Sequence, residues 1–392
     1  MKSGAALIFT GMQRASAEPS QMTLRDKLRH MNWGLFLLVC LIASIGFVML
    51  YSAANGSLDP WADRQMLRFA VGLAILTGVA LIDLRFWLRH AYTVYAVAFV
   101  LLVYVEVAGE IGMGAQRWID LGFFQLQPSE LMKVSLVLAM ARYFHRLSFE
   151  DIGRPFYVIW PALLAIAPAG LVLVQPDLGT ASMLLLVAGA MLFVAGVRIW
   201  KFALVGLAGA AAVPIAWSFM REYQKNRILT FMNPENDPLG TGYHITQSKI
   251  AFGSGGMFGK GFLQGTQSHL NFLPERQTDF IFTMLAEEWG LVGALAVIGL
   301  FCVVFVYGFA IAFRSRSHFG RLVAIGITAN LFFYVFINTA MVMGLIPVVG
   351  IPLPLISYGG TAMMTVLVGF GLLMSVYIHR DLRIGRRGLA ED

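Results

Sequence analysis

Charge is what this sequence has least of. Lys, Arg, Asp and Glu make up 13% of its 392 residues while 58% are hydrophobic, against about 25% charged in an ordinary soluble domain. No soluble-looking block exceeds the stretch from 219 to 278. The shortage excludes a soluble enzyme and leaves an integral membrane protein with one helical membrane domain. Cysteine is nearly absent as well: Cys40 and Cys302 lie inside apolar stretches, without metal-site spacing, so neither a disulfide framework nor a structural metal is expected. A fixed-period repeat, a P-loop, a dinucleotide fingerprint and an alternating strand pattern are all missing, which removes solenoids and nucleotide-binding α/β folds. The net charge of +7 would suit nucleic acid, but its distribution follows membrane topology and no nucleic-acid partner is expected.

What the sequence has in abundance is long apolar runs. Ten are expected to cross a bilayer, at about 33–53, 66–83, 88–107, 129–145, 158–174, 178–196, 200–218, 280–312, 322–343 and 358–379, each near the ~20 residues that crossing requires. The expected fold is therefore an all-α polytopic membrane protein, with a tail over 1–32, a membrane domain over 33–379, a large loop over 219–278 between the seventh and eighth spans, and a second tail over 380–392. With the N-terminus inside, the inner segments hold 19 of the 29 basic residues, and six of the other ten lie in the long loop. Both termini are thus expected to be cytoplasmic and the loop extracytoplasmic. Ala5 to Phe9 followed by Ala15-Ser16-Ala17 imitates a secretory signal, but the apolar core is too short, and the segment reads as a cytoplasmic tail.

The long loop packs eight glycines between 240 and 265, a density that implies unusual backbone geometry. A short helix over 243–252 is expected inside it, with Ile245, Ile250 and Phe252 dipping into the membrane interface between turns at Asp237-Pro238 and Gly253 to Gly256. Cradling of phosphate by the glycines is a second reading of the same stretch.

Several stretches expected on the outer side place charged groups where apolar ones would be cheaper. Glu130 and Lys133 follow Gln127-Pro128-Ser129 and, three apart, share a face of the helix that Pro128 opens. Their alternatives are a structural ion pair or a cavity wall. Asp177, in Gln175-Pro176-Asp177-Leu178-Gly179, sits where a helix cap would. Arg117 lies in Gly114-Ala115-Gln116-Arg117-Trp118-Ile119, Ser357 ends the rigid Ile351-Pro352-Leu353-Pro354 approach, and Arg64 lies just before the second span. Arg276 and Asp279 stand in Pro274-Glu275-Arg276-Gln277-Thr278-Asp279-Phe280 at the mouth of the eighth span. A carboxylate there must be hydrated or paired, which marks it as functional, although an N-cap of that span is the plain alternative. Glu287 falls roughly 80° from Asp279 around an ideal helix and Glu288 about opposite, so Glu287 is expected to share the cavity. An outward cavity lined by Arg64, Arg117, Glu130, Lys133, Asp177, Arg276, Asp279 and Ser357 combines cations suited to a diphosphate with an acid suited to proton abstraction from a hydroxyl.

Five motifs in order, Gln127-Pro128-Ser129-Glu130, Gln175-Pro176-Asp177-Leu178-Gly179, Gly242-Tyr243-His244-Ile245-Thr246-Gln247-Ser248, Pro274 to Phe282 and Ser357-Tyr358-Gly359-Gly360, resemble the SEDS family. The resemblance covers nearly all of the membrane region, and it is nearer to the family's elongation polymerases than to its division polymerases. Gln277 stands where many members carry His, so no proton relay is assigned to it. The resemblance implies a peptidoglycan glycosyltransferase that polymerises lipid II on the outer face of the inner membrane with a class B penicillin-binding protein as partner. Asp279 matches the family's essential acid, and Arg64, Arg117 and Lys133 become candidates for stabilising the diphosphate. A divalent metal, Mg2+ or Mn2+, follows from the substrate alone, because the sequence holds no ligand cluster. A lipid II flippase would need polar groups reachable from both faces, and a scaffold that recruits the penicillin-binding protein would tolerate Asp279→Asn.

Overall fold

The computed structural model describes residues 22–112, 115–120, 122, 125–220, 222–233, 241–270, 272–273 and 275–385. The turn at Asp237-Pro238, the positions Gly114, Gly240 and Pro274, and most of both expected tails lie outside the described residues.

A helix stands at every one of the ten expected stretches. A one-turn α1 (Leu24–Arg29) precedes α2 (Trp33–Ala53), α3 (Ala62–Leu81) and α4 (Leu84–Ala108). Next come three short antiparallel strands, β1 (Glu110–Gly112), β2 (Ala115–Asp120) and β3 (Gln125–Leu126), which the sequence reading did not anticipate. Then follow α5 (Pro128–Arg146), the short α6 (Phe149–Ile152), α7 (Pro155–Val174), α8 (Leu178–Ala195) and α9 (Ile199–Phe219). The loop contains α10 (Glu222–Met232), α11 (Thr241–Gly255) and α12 (Thr266–His269), and α13 (Ile281–Arg314), α14 (His318–Val342) and α15 (Gly360–Ile378) complete the chain.

Among the described residues, eight of these helices are long and apolar enough to cross a membrane on length and composition alone. The other two expected spans, α5 and α9, sit in opposite surroundings. On α9 every residue from Ala203 to Pro214 is exposed, as an all-apolar helix turned to lipid would be. On α5, by contrast, Glu130, Lys133, Arg142 and Arg146 dilute the hydropathy, and 15 of its 19 residues are buried. It runs through the middle of the bundle against α4, α7, α8, α14 and α15, the only environment in which a charged helix finds partners at membrane depth. Local chemistry sets the helix starts: Asn32 Oδ1 accepts from Leu35 N at 3.1 Å, Ser317 Oγ accepts from Gly320 N at 3.3 Å, and Pro128 and Pro155 occupy first-turn positions where the missing N–H costs nothing.

The loop corrects two expectations. Helix α11 runs past the expected turn at Gly253 and is packed on α13, not laid on the membrane interface: Ile245 is buried, and the Ser248 hydroxyl meets Thr283 Oγ1 at 2.8 Å and donates to Val342 O at 2.6 Å. Ile250 stays exposed.

The glycines, secondly, serve a break in α13. Gly290 has φ 70° and ψ −168°, a conformation essentially limited to glycine. The break frees backbone groups that residues 256–261 recapture: Lys260 N donates to Glu287 O at 3.0 Å, Gly261 N to Glu288 O at 3.1 Å, Leu291 N to Gly256 O at 3.0 Å and Val292 N to Met257 O at 3.1 Å. A Cβ on Gly259 would stand 2.0 Å from Glu288 O. Two backbones touch here, and the amides that would have cradled a phosphate are spent on the helix.

Candidate active site

Asp279 lies at the end of a turn over 275–280 that leads into α13. It does not cap the helix: the N-cap position is Phe280, with no side-chain cap bond. The turn ties itself through Thr278 N to Glu275 O at 3.0 Å and Thr278 Oγ1 to Glu275 Oε2 at 3.0 Å. It is then gripped from outside at three consecutive carbonyls. Tyr358 N donates to Gln277 O at 2.8 Å, Ser357 Oγ to Thr278 O at 2.6 Å, and Asn338 Nδ2 to Asp279 O at 3.0 Å.

Each donor is itself fixed. Ser357 Oγ accepts from Leu353 N at 2.8 Å, so its one hydrogen and one of its lone pairs are committed inside the protein. Gln65 of α3 donates to Ser357 O at 3.0 Å and accepts from Gly359 N at 3.4 Å. Beneath the carboxylate runs the backbone at Gly350, where a Cβ would come within 3.3 Å of Asp279 Oδ2. Gly350 also has φ 74°, a left-handed conformation that favours glycine.

Glu130 and Lys133 form a closed cluster with Tyr334 of α14. Lys133 Nζ lies 2.7 Å from Glu130 Oε1, and the Tyr334 hydroxyl bonds to both Glu130 and Lys133. The lysine is 2% exposed, so in this conformation its ammonium faces Glu130 and Tyr334 instead of an open cavity. Tyr334 and Asn338, four residues apart on α14 and thus on one face, connect this cluster to the Asp279 turn. Removing one partner of such a pair leaves an uncompensated buried charge worth about 3–5 kcal/mol. Lys133→Met is therefore expected to lower the detergent melting temperature sharply, with Glu130→Gln recovering part of the loss in the double variant.

On the other flank, Asp177 is both cap and anchor. Its Oδ1 accepts from Thr180 N at 3.0 Å and its Oδ2 from Thr180 Oγ1 at 2.9 Å, while Arg117 of β2 donates to Gln175 O at 3.1 Å and lies 3.9 Å from Asp177 Oδ2. Arg117 thus clasps the turn before α8. Gly179 abuts Val349 O, so the segment leading to Gly350 links this flank to Asp279.

Arg64 is exposed at the start of α3. Arg68, one turn further, lies 5.0 Å from the Tyr358 ring centroid, and Arg276 lies 5.9 Å from the Trp61 ring centroid. Partial burial lowers the Arg276 pKa from its ordinary value, though a guanidinium stays charged in proteins.

Glu287 does not share this space. It is buried against Lys260 Nζ at 2.7 Å and Gln267 N at 2.9 Å, and Glu288 is buried against Ser52 Oγ at 2.5 Å and His269 Nε2 at 3.2 Å. The 80° estimate assumed one helix through 279–288, but α13 begins only at Ile281. Both acids hold the 260–269 stretch in place.

Sequence reasoning passed over Gln65, Arg68, Tyr334 and Asn338. The available signal was polarity inside apolar spans, since an intramembrane amide needs a partner.

Residues 32–382 match the family model described as cell cycle protein, which covers FtsW, RodA and SpoVE. The peptidoglycan glycosyltransferase MrdB of Escherichia coli K12 is 42% identical over 93% of this chain and 98% of its own. The fold resembles a chain of a peptidoglycan synthase complex that coordinates polymerization and crosslinking, with TM-score 0.75 and 35% identity over 89% of this chain and 98% of that one. It also resembles the rod shape determining protein RodA of Thermus thermophilus, with TM-score 0.68 and 32% identity over 89% of this chain and 97% of that one.

Proposed function

The chain belongs to the FtsW, RodA and SpoVE family, and from that membership we propose that it is a peptidoglycan glycosyltransferase of the elongation type. It is a multi-pass enzyme of the inner membrane that joins lipid II units into β-1,4 glycan strands, releases undecaprenyl diphosphate, and so determines rod shape.

The observation that carries the assignment of its chemistry is the grip of three donors on the carbonyls of residues 277–279. A turn so held keeps its side chain within the narrow tolerance that reaction geometry demands. Asp279 acts as general base: its carboxylate takes the proton from the 4-hydroxyl of the acceptor sugar as that oxygen attacks the anomeric carbon of the donor from the face opposite the diphosphate, inverting the centre. With an ordinary pKa near ~4 a carboxylate is a weak base for a sugar hydroxyl, so the step depends on a leaving group whose charge is stabilised. Arg64 and Arg68, on the first two turns of α3 beside Ser357-Tyr358-Gly359, are assigned to the departing diphosphate, for which guanidinium forks are suited. Arg117, Lys133, Glu130 and Asp177 frame the site, since their charged groups bind the protein itself, and Arg276 stands at its rim. An apolar groove of about 250 Å³ between α4, α5 and α15, lined by Trp87, Leu101, Leu138, Val368 and Leu372 among others, suits a prenyl chain.

Among the described residues no three His, Cys, Asp or Glu side chains converge as metal ligands. A divalent ion would therefore arrive with the substrate diphosphate, and no step is drawn through it. The distribution of basic residues supports cytoplasmic termini and an active site on the outer face. The partner is a class B penicillin-binding protein that crosslinks the product. A flippase reading would look to the interruption of α13, since transporters expose the ends of broken helices to their cargo; here residues 256–261 occupy those ends.

The test is glycan-chain formation from purified lipid II by this protein with its cognate penicillin-binding protein. Polymer is expected. Its absence from an intact complex supplied with divalent metal would return the reading to transport or scaffolding.

A further inference from the structure

We propose that Asn338 is a positioning residue for glycosyl transfer, setting the place of Asp279 through the backbone; this rests on the reading of Asp279 as the base. Asn338 is fully buried in α14, and its side-chain nitrogen has two hydrogens and two acceptors: Asp279 O at 3.0 Å and Ile351 O at 2.7 Å. Those carbonyls belong to different pieces of chain. One ends the turn that carries the carboxylate, and the other follows Gly350, the bare backbone over which Asp279 Oδ2 passes. One amide therefore sets the distance between the backbone of the base and the floor beneath its carboxylate.

The other two grips on the turn, Tyr358 N and Ser357 Oγ, come from neighbouring residues of one segment and would move together. Asn338 is anchored on a separate helix, four residues from the Tyr334 that bonds to Glu130 and Lys133. It supplies the second fixed point, without which the turn could rotate about the 357–358 attachment. A displacement of about 1 Å can cost about 10²-fold in rate. Because the amide does not reach the substrate, the loss should fall on kcat while the KM for lipid II stays nearly constant.

The experiment compares the parent, Asn338→Leu, Asn338→Asp and Asp279→Asn in polymerisation of lipid II by the complex with the penicillin-binding protein, alongside melting temperature and complex formation. Leucine keeps the size and removes both donors. Aspartic acid, held neutral between two carbonyls, returns one. Expected are a kcat loss of about 10²-fold for Asn338→Leu with KM within about twofold, an intermediate rate for Asn338→Asp, and complexes that form in every case. Parental kcat in Asn338→Leu would overturn the proposal. So would a rate loss that follows melting temperature and complex formation and that Asn338→Asp does not partly restore. Activity in Asp279→Asn would instead remove the base assignment on which the proposal stands.

Discussion

Asp279→Asn, assembled with its penicillin-binding protein and supplied with lipid II, is expected to make essentially no glycan. The substitution keeps the shape of the side chain while removing its charge and its ability to take a proton. A general base contributes about 10²–10⁴-fold. The hydrogen bonds from Tyr358, Ser357 and Asn338 run to backbone carbonyls, so they survive the change, and the variant should fold and bind its partner as the parent does. The measurement is polymer length and yield at saturating lipid II, with complex formation read in parallel. A folded variant that polymerises at more than about a tenth of the parental rate would fall outside the range of a missing base and would strip Asp279 of its role.

Gly290→Ala is expected to have the largest effect on stability. Its φ of 70° and ψ of −168° cost a non-glycine residue about 1–3 kcal/mol. The new Cβ would also stand 2.3 Å from Gly259 N and 2.6 Å from Met257 O, and both atoms are backbone, so no side chain can turn aside. Pushing the 256–261 segment away would release Glu287 O, Glu288 O, Leu291 N and Val292 N together, and each backbone group left buried without a partner costs about 1–3 kcal/mol. A loss beyond about 4 kcal/mol is expected, read as a collapse of folded yield or melting temperature. Gly299→Ala provides the control on the same helix. Nothing lies within 4 Å of its added methyl, so it should be neutral or stabilise by up to about 1 kcal/mol. Equal behaviour of the two variants would contradict the backbone patch.

The sequence was most legible where one force dominates. Ten apolar runs became ten helices because burial of backbone polar groups in lipid leaves few alternatives. Asp279 could be singled out because an acid at the mouth of a span is costly unless used. The glycine cluster was legible as unusual backbone but its partner was not: residues 256–261 meet Glu287 to Val292 across about thirty positions of sequence, and local pattern cannot reveal such a pairing. Larger separations, 79 and 204 positions, divide Ser357 from Thr278 and Tyr334 from Glu130. The expected place of Glu287 failed because the angular argument carried a helix two residues too far.

By itself, then, the sequence determined the membrane class, the places of the helices along the chain and the acid proposed as the base, since hydropathy and short motifs are local properties. Tertiary structure alone decided which charges face one another. It turned Lys133 and Arg117 toward the protein, made Ser357 and Asn338 holders of the Asp279 turn, and mended a broken helix with a glycine-rich segment, because partners for buried polar groups are chosen by proximity in space and not by spacing along the chain.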